Sequence, residues 1–152
     1  MIGLITAKTT LYTTGELADV LSNLTLGGPY FILGEDGIDV DVKFQQAIDA
    51  VRGCAGSVCT TKIDIVILRD TGSDGYNNYL YSMNGVNSVQ TYVLTTLIDA
   101  NKIGTALVVK NAELIFFAGG NQCDYVKIIK GSKVADSIKS SYARGAAIGV
   151  LV

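Results

Sequence analysis

Residues 112–122 read Ala-Glu-Leu-Ile-Phe-Phe-Ala-Gly-Gly-Asn-Gln. The apolar run from Leu114 to Ala118 stops at two glycines and two side-chain amides and does not continue at helical spacing. That is the pattern of a buried strand. Paired glycines let backbone N–H groups come close to whatever sits beyond the strand, and Asn121 is placed to cap a helix over Cys123 to Ile129. Open α/β sheets place their ligands where a strand passes through a Gly-rich turn into a helix. Gly119-Gly120-Asn121 is equally readable as a tight turn and nothing more.

Outward from that stretch, strand and helix patterns alternate. Pro29 to Leu33 predicts a strand, followed by a Gly34-Glu35-Asp36-Gly37 turn. Val40, Phe44, Ala47, Ile48 and Val51 share one helical face, with Asp39 or Asp41 as the expected cap and Gly53 just past the end. Ile63 to Leu68 predicts a second strand, which enters the hydroxyl- and carboxylate-rich loop Arg69 to Gly75. Arg69, Asp70 and Ser73 are therefore candidate ligand contacts, or simply residues of a solvated turn. Tyr76 to Met83 suits a short helix stopped by Asn84-Gly85, and Val89 to Leu94 suits a third strand.

Ala106 to Val109 is ambiguous, and a helix capped by Thr105 fits the rhythm best. Val134, Ile138 and Tyr142 fall four apart in a later helix closed by Gly145, and residues 146–152 form another buried-strand pattern. Near the start, Leu17, Val20, Leu21 and Leu24 suggest an amphipathic helix over Glu16 to Leu24. Together these predict a three-layer α/β/α unit with a mostly parallel sheet and helices on both faces.

The chain has 152 residues, one domain by length, and is 49% hydrophobic and 17% charged, a balance suited to a sheet covered on both sides. Twelve basic against 14 acidic residues leave a net charge of -2, with no basic footprint for nucleic acid. Neither a membrane-spanning stretch nor a signal peptide is visible, so the default compartment is the cytoplasm, or the exterior if the native N-terminus is longer. Cys54 and Cys59 could bridge in an exported protein, with reduced thiols the default expectation. Asn23-Leu24-Thr25 fits a glycosylation acceptor that matters only outside the cytosol. No histidine is present. That removes zinc-ligand sets and Ser-His-Asp or Cys-His arrangements from these residues. No G-x-G-x-x-G or Walker pattern supports a nucleotide site, and no cofactor is expected.

Five blocks then occur in order over about residues 29 to 149. They are Leu33-Gly34 with Gly37-Ile38-Asp39-Val40-Asp41 and Phe44; Val66-Ile67-Leu68-Arg69 running into Gly72-Ser73-Asp74-Gly75-Tyr76-Asn77; Gly85-Val86-Asn87-Ser88-Val89; Phe116-Phe117-Ala118-Gly119-Gly120-Asn121-Gln122; and Tyr142-Ala143-Arg144-Gly145-Ala146-Ala147-Ile148-Gly149. Taken together they resemble the cyanophycinase branch of serine peptidases, which includes aspartyl dipeptidases. The resemblance implies a flavodoxin-like, class I glutamine amidotransferase-like fold, of which these residues are the N-terminal half. It also implies an oxyanion hole at Gly119 and Gly120 and substrate binding by Gln122, with Asn121 standing where the family commonly has Asp. Glu35 and Asp36 replace expected glycines.

In the family the last strand leads into a Gly-Thr-Ser-Ala-Gly nucleophile elbow, with the histidine base and its acidic partner further on. The nucleophile position reads Val152 here. The expectation is a single, incomplete hydrolase domain over 1–152 that supplies a cradle for a peptide-like substrate but no catalytic residue. The alternative is a non-catalytic binding or assembly protein on the same half-fold, pairing with itself or with a separate C-terminal chain through a sheet edge exposed beside the last strand.

Overall fold

Along Ile63–Arg69 (β3) every residue from Ile63 to Leu68 is buried. Successive side chains of a strand point to opposite faces, so both faces of this strand must be covered. Ile63, Ile65 and Ile67 enter one core with Phe44, Ile48, Leu80 and Phe116, while Val66 and Leu68 enter another with Tyr92, Val109, Ile115 and Val134. The result is a three-layer α/β/α arrangement, as the alternating pattern predicts. The structure, a computed structural model, describes residues 9–20, 30–33 and 38–151, with only the backbone for 30–33, 38 and 39.

The elements before β3 are β1 (Thr10–Gly15), β2 (Tyr30–Leu33) and α1 (Ile38–Arg52). After it come α2 (Asn77–Tyr81), β4 (Val86–Val93), α3 (Leu97–Ala100), α4 (Ile103–Asn111), β5 (Leu114–Phe117), α5 (Gln122–Ile129), α6 (Lys133–Arg144) and β6 (Ala147–Leu151). The sheet order is β1-β4-β3-β5-β6-β2, parallel except for β1, which pairs antiparallel with β4. α1 and α2 pack on one face, α3 to α6 on the other. Among the described residues no helix is long and apolar enough to cross a membrane.

Several expectations are corrected. Residues 16–20 are not helical, and Leu17 is 81% exposed. Polar groups at the amino edge of the sheet hold this segment: Glu16 N donates to Asn87 O (3.1 Å), Asn87 Nδ2 to Ala18 O (3.2 Å) and Val20 N to the Asp64 carboxylate (2.9 Å). Residues 21–24 of that expected helix, the Gly34 to Gly37 turn and Val152 lie outside the described residues. α1 begins at Ile38, so Asp39 and Asp41 fall inside its first turn and neither is its N-cap. Thr105 is buried inside α4, which starts three residues earlier than expected, at Ile103 with Lys102 as its N-cap.

Cys54 and Cys59 form a disulfide instead of standing as reduced thiols. The turn at Gly56 (φ 77°) brings their Cα atoms to 5.6 Å, within bridging range. The last strand is also not an edge. β6 is flanked by β5 and β2, and the two edges are β1 and β2.

Buried polar groups secure the less obvious joins. Asn77, almost wholly buried, donates to Tyr12 O (3.1 Å), Thr14 Oγ1 (3.3 Å) and Val89 O (3.3 Å) and accepts from Thr91 Oγ1 (2.5 Å). It thereby ties α2 to the β1–β4 pair without leaving its amide unsatisfied. The register shift between Ile63 and Asp64 makes Asn87 an extra residue on β4.

Candidate functional site

At the carboxyl edge of the sheet, Ala118 N continues the ladder by donating to Leu68 O (3.1 Å), and the chain then turns through Gly119 and Gly120 into α5. The turn is fixed from below by Tyr125, whose hydroxyl donates to Ala118 O (2.7 Å) and Leu68 O (3.3 Å), joining the ends of β5 and β3. Burial, with the Asp70 charge nearby, pushes the Tyr125 phenol up to about 12. Asn121 caps α5 as expected, its side-chain oxygen accepting from Cys123 N at 2.9 Å.

Neither glycine has a positive φ. What they provide is room. A Cβ at Gly120 would stand 2.6 Å from Asp70 Oδ1, and one at Gly119 would stand 3.3 Å from Leu151 Cδ2. The close approach therefore brings the backbone against the protein's own side chains. Both residues are exposed, and among the described residues neither backbone N–H donates to another backbone group. The end of this central strand therefore carries two exposed residues whose N–H groups take no part in the backbone ladder.

Asp70, immediately after β3, is only 8% exposed. Its carboxylate takes no hydrogen bond and no ion pair from the described residues, and it lies against Gly120 just ahead of α5. The neighbouring Arg69 does not neutralise it. Arg69 Nε donates to Thr71 O (2.9 Å) and Nη1 to Ser73 O (3.3 Å), while the guanidinium lies over the Tyr76 ring, 5.7 Å from its centroid. Arg69 therefore staples its own loop, leaving Ser73 exposed upon it. Asp70 and Thr71 line a cavity of about 320 Å³ together with Thr95, Asp124, Lys127 and Ile128.

Of the candidate residues, the fold brings Gly119, Gly120, Asn121 and Asp70 together. Gln122 is exposed at the first position of α5, and Arg69 and Ser73 stand on the adjoining loop. The Asn121 oxygen is committed as a cap. Free N–H donors suit an anion or a carbonyl oxygen, whereas an unpaired carboxylate alongside suits a cation. Sequence reasoning named each group but had no sign of their mutual approach.

A second polar cluster, at the opposite edge, was not anticipated. Glu113 is fully buried and accepts from Asp64 N through Oε2 (3.2 Å). Asp64 accepts from Ser88 Oγ (2.6 Å), Asn87 Nδ2 (2.7 Å) and Val20 N (2.9 Å). Asp19 completes a set of carboxylate oxygens lying within 4.8 Å of one another. Partial burial and the adjacent Asp64 raise Asp19 above the ordinary carboxylate range. These oxygens are of the kind that hard cations use. Asp64 already has hydrogen-bond donors on both oxygens, so the cluster serves first to anchor residues 16–20 and the Asn87 bulge. The signal in the sequence was a lone acid, Glu113, immediately before the wholly apolar strand β5.

No family model and no curated protein matches the chain. Among solved structures it is similar to the crystal structure of a peptidase from an acI-B1 Actinobacterium. The TM-score is 0.59 at 14% identity, covering 86% of this chain and 55% of that one. The likeness is one of fold, and the chain spans about half the length of that protein.

Proposed function

We propose that these residues form the N-terminal, substrate-cradling portion of a cyanophycinase-like serine peptidase with a class I glutamine amidotransferase-like fold. The observation that carries the proposal is the exposed Gly119-Gly120 turn at the end of β5, whose N–H groups take no part in the backbone ladder and whose neighbour Asp70 lines a cavity. Donors fixed in this way stabilise the oxyanion of an acyl-transfer intermediate. Gln122, at the start of α5, offers an amide that both donates to and accepts from a peptide. The peptidase of the same fold supports the reading in its coarse form.

The 152 residues contain no histidine, so they hold no base that would activate Ser57, Ser73, Ser82, Ser88, Ser132 or Ser140 through an imidazole. The expected behaviour of this polypeptide is binding of an Asp-containing peptide without turnover. Fluorescence-detected hydrolysis of a quenched Asp-containing peptide tests this, and cleavage by the purified 152-residue chain would refute it.

Asp70 favours a second reading, a binding or assembly protein on the same half-fold. A full negative charge about 4 Å from a developing oxyanion opposes it by about 4 kcal/mol at an effective dielectric of 20. That is comparable with what an oxyanion donor contributes. Under this reading the β1 or β2 edge pairs with a second copy or a separate chain. Size-exclusion chromatography separates the two, because a monomer that binds peptide fits only the first.

A further inference from the structure

We infer that the cavity beside the Gly119-Gly120 turn is a binding site for a protonated primary amine, with Asp70 as its counter-charge. A carboxylate at the mouth of a cavity, on a largely buried residue and with no donor or cation from the described residues, is open to a cationic guest. Asp70 is such a group, and the cavity it lines is about 320 Å³, room enough for an alkylammonium head and the first atoms of its chain. Asp124, in the first turn of α5, adds a second acid to the lining, against a single lysine, Lys127. Neither Asp70 nor Asp124 forms an ion pair with Lys127 among the described residues, so a negative balance remains for the occupant.

The hydroxyl groups point to the same ligand. Thr95 Oγ1 donates its proton to Asp99 Oδ2 (3.0 Å), which leaves that oxygen only lone pairs to offer a guest. A guest must therefore be a donor at Thr95 and positive at Asp70. Asp70 and Thr71 follow β3, Thr95 follows β4, and Asp124 belongs to α5. Acceptors distributed over three elements match the three divergent donors of an ammonium. A planar guanidinium is served best by one coplanar carboxylate pair. The choice of a peptide's free amino group as the natural source of this amine rests on the peptidase reading above, while the amine site itself does not. In that setting a bound ammonium would also cancel the Asp70 charge that opposes an oxyanion at Gly120.

The test is a titration of the 152-residue chain with butylammonium chloride, followed by amide chemical shifts, alongside methylguanidinium, n-butanol and glycinamide. Saturable shifts confined to residues 70–71, 95 and 120–127 are expected with butylammonium and glycinamide and not with n-butanol. The isosteric Asp70→Asn is expected to weaken binding about tenfold or more, the loss of a charge-assisted hydrogen bond. Asp74→Asn, on the exposed part of the same loop, leaves it unchanged. Should Asp70→Asn misfold, Thr95→Val provides the second variant, with weaker binding expected. Absence of saturable shifts, equal shifts with n-butanol, or tighter binding of methylguanidinium than of butylammonium would each overturn the inference. Glycinamide binding without any peptide binding would sink the peptidase reading alone. Peptide binding that is indifferent to Asp70 would sink the amine site alone.

Discussion

Replacing Gly120 by alanine places a methyl group 2.6 Å from Asp70 Oδ1 and 3.1 Å from its Cγ. Ordinary carbon–oxygen contact lies well outside the first of these distances, so one partner must move. Asp70 is short and nine-tenths buried, and moving it means turning its carboxylate away from the outward-facing Gly120 turn. Overpacking of this kind costs about 1–3 kcal/mol. Because Gly120 has no positive φ, an alanine there pays no left-handed strain and recovers about 0.4–1 kcal/mol through the unfolded chain. The net expectation is a loss of roughly 0–2.6 kcal/mol.

Urea denaturation followed by circular dichroism measures the loss, with m unchanged if the effect lies in the folded state. The decisive variant is the pair Gly120→Ala with Asp70→Ala. Removal of the carboxylate should make the alanine neutral or slightly stabilising, a coupling of about 1 kcal/mol or more. Equal costs of Gly120→Ala with and without Asp70 would show that these two groups do not meet, and the site built on their approach would fall.

Tyr125→Phe removes the hydroxyl that donates to both Leu68 O and Ala118 O, and is expected to cost about 1–2 kcal/mol in thermal or urea unfolding. Asp99 is held at about 2, since hydrogen bonds from Thr95, Thr9 and Thr96 outweigh the opposing effect of burial. A depressed folded value gives stability that is complete above the unfolded pKa of about 3.8 and is lost as the pH falls through about 2. Asp99→Asn should therefore cost about 1–2 kcal/mol near neutrality and progressively less as the pH falls from about 4 through about 2, as read from unfolding midpoints across that range. Reduction of Cys54–Cys59, which closes a loop with a sequence separation of 5, should lower stability by about 2 kcal/mol, as seen by comparing unfolding with and without a thiol reductant.

How far local pattern reaches differs from element to element. α1 was legible because five apolar residues repeat on one face and Gly53 (φ 74°) ends it. α6 was legible for the same reason, with Gly145 (φ 113°) as its stop. β3 and β5 were legible as apolar runs too short for helices. β1 was missed because Thr10 to Gly15 is an edge strand whose burial is weak and uneven, so its partner β4, not its own pattern, makes it a strand. α3 was missed although Thr96 and Asp99 form a capping box, a local signal that was present and unused.

By itself, the sequence determined the alternation of strands and helices, the burial of both faces of the sheet, the Gly-Gly turn after β5 and the Asn121 cap. All of these depend on spacings of a few residues. Tertiary structure alone decided that Asp70 lies against Gly120, that Asp64, Glu113 and Asp19 converge at the opposite edge, and that β2 covers β6. These arrangements join residues from strands that are neighbours in the sheet but distant in the chain. Strand order is chosen by the packing of the whole, and no local spacing encodes it.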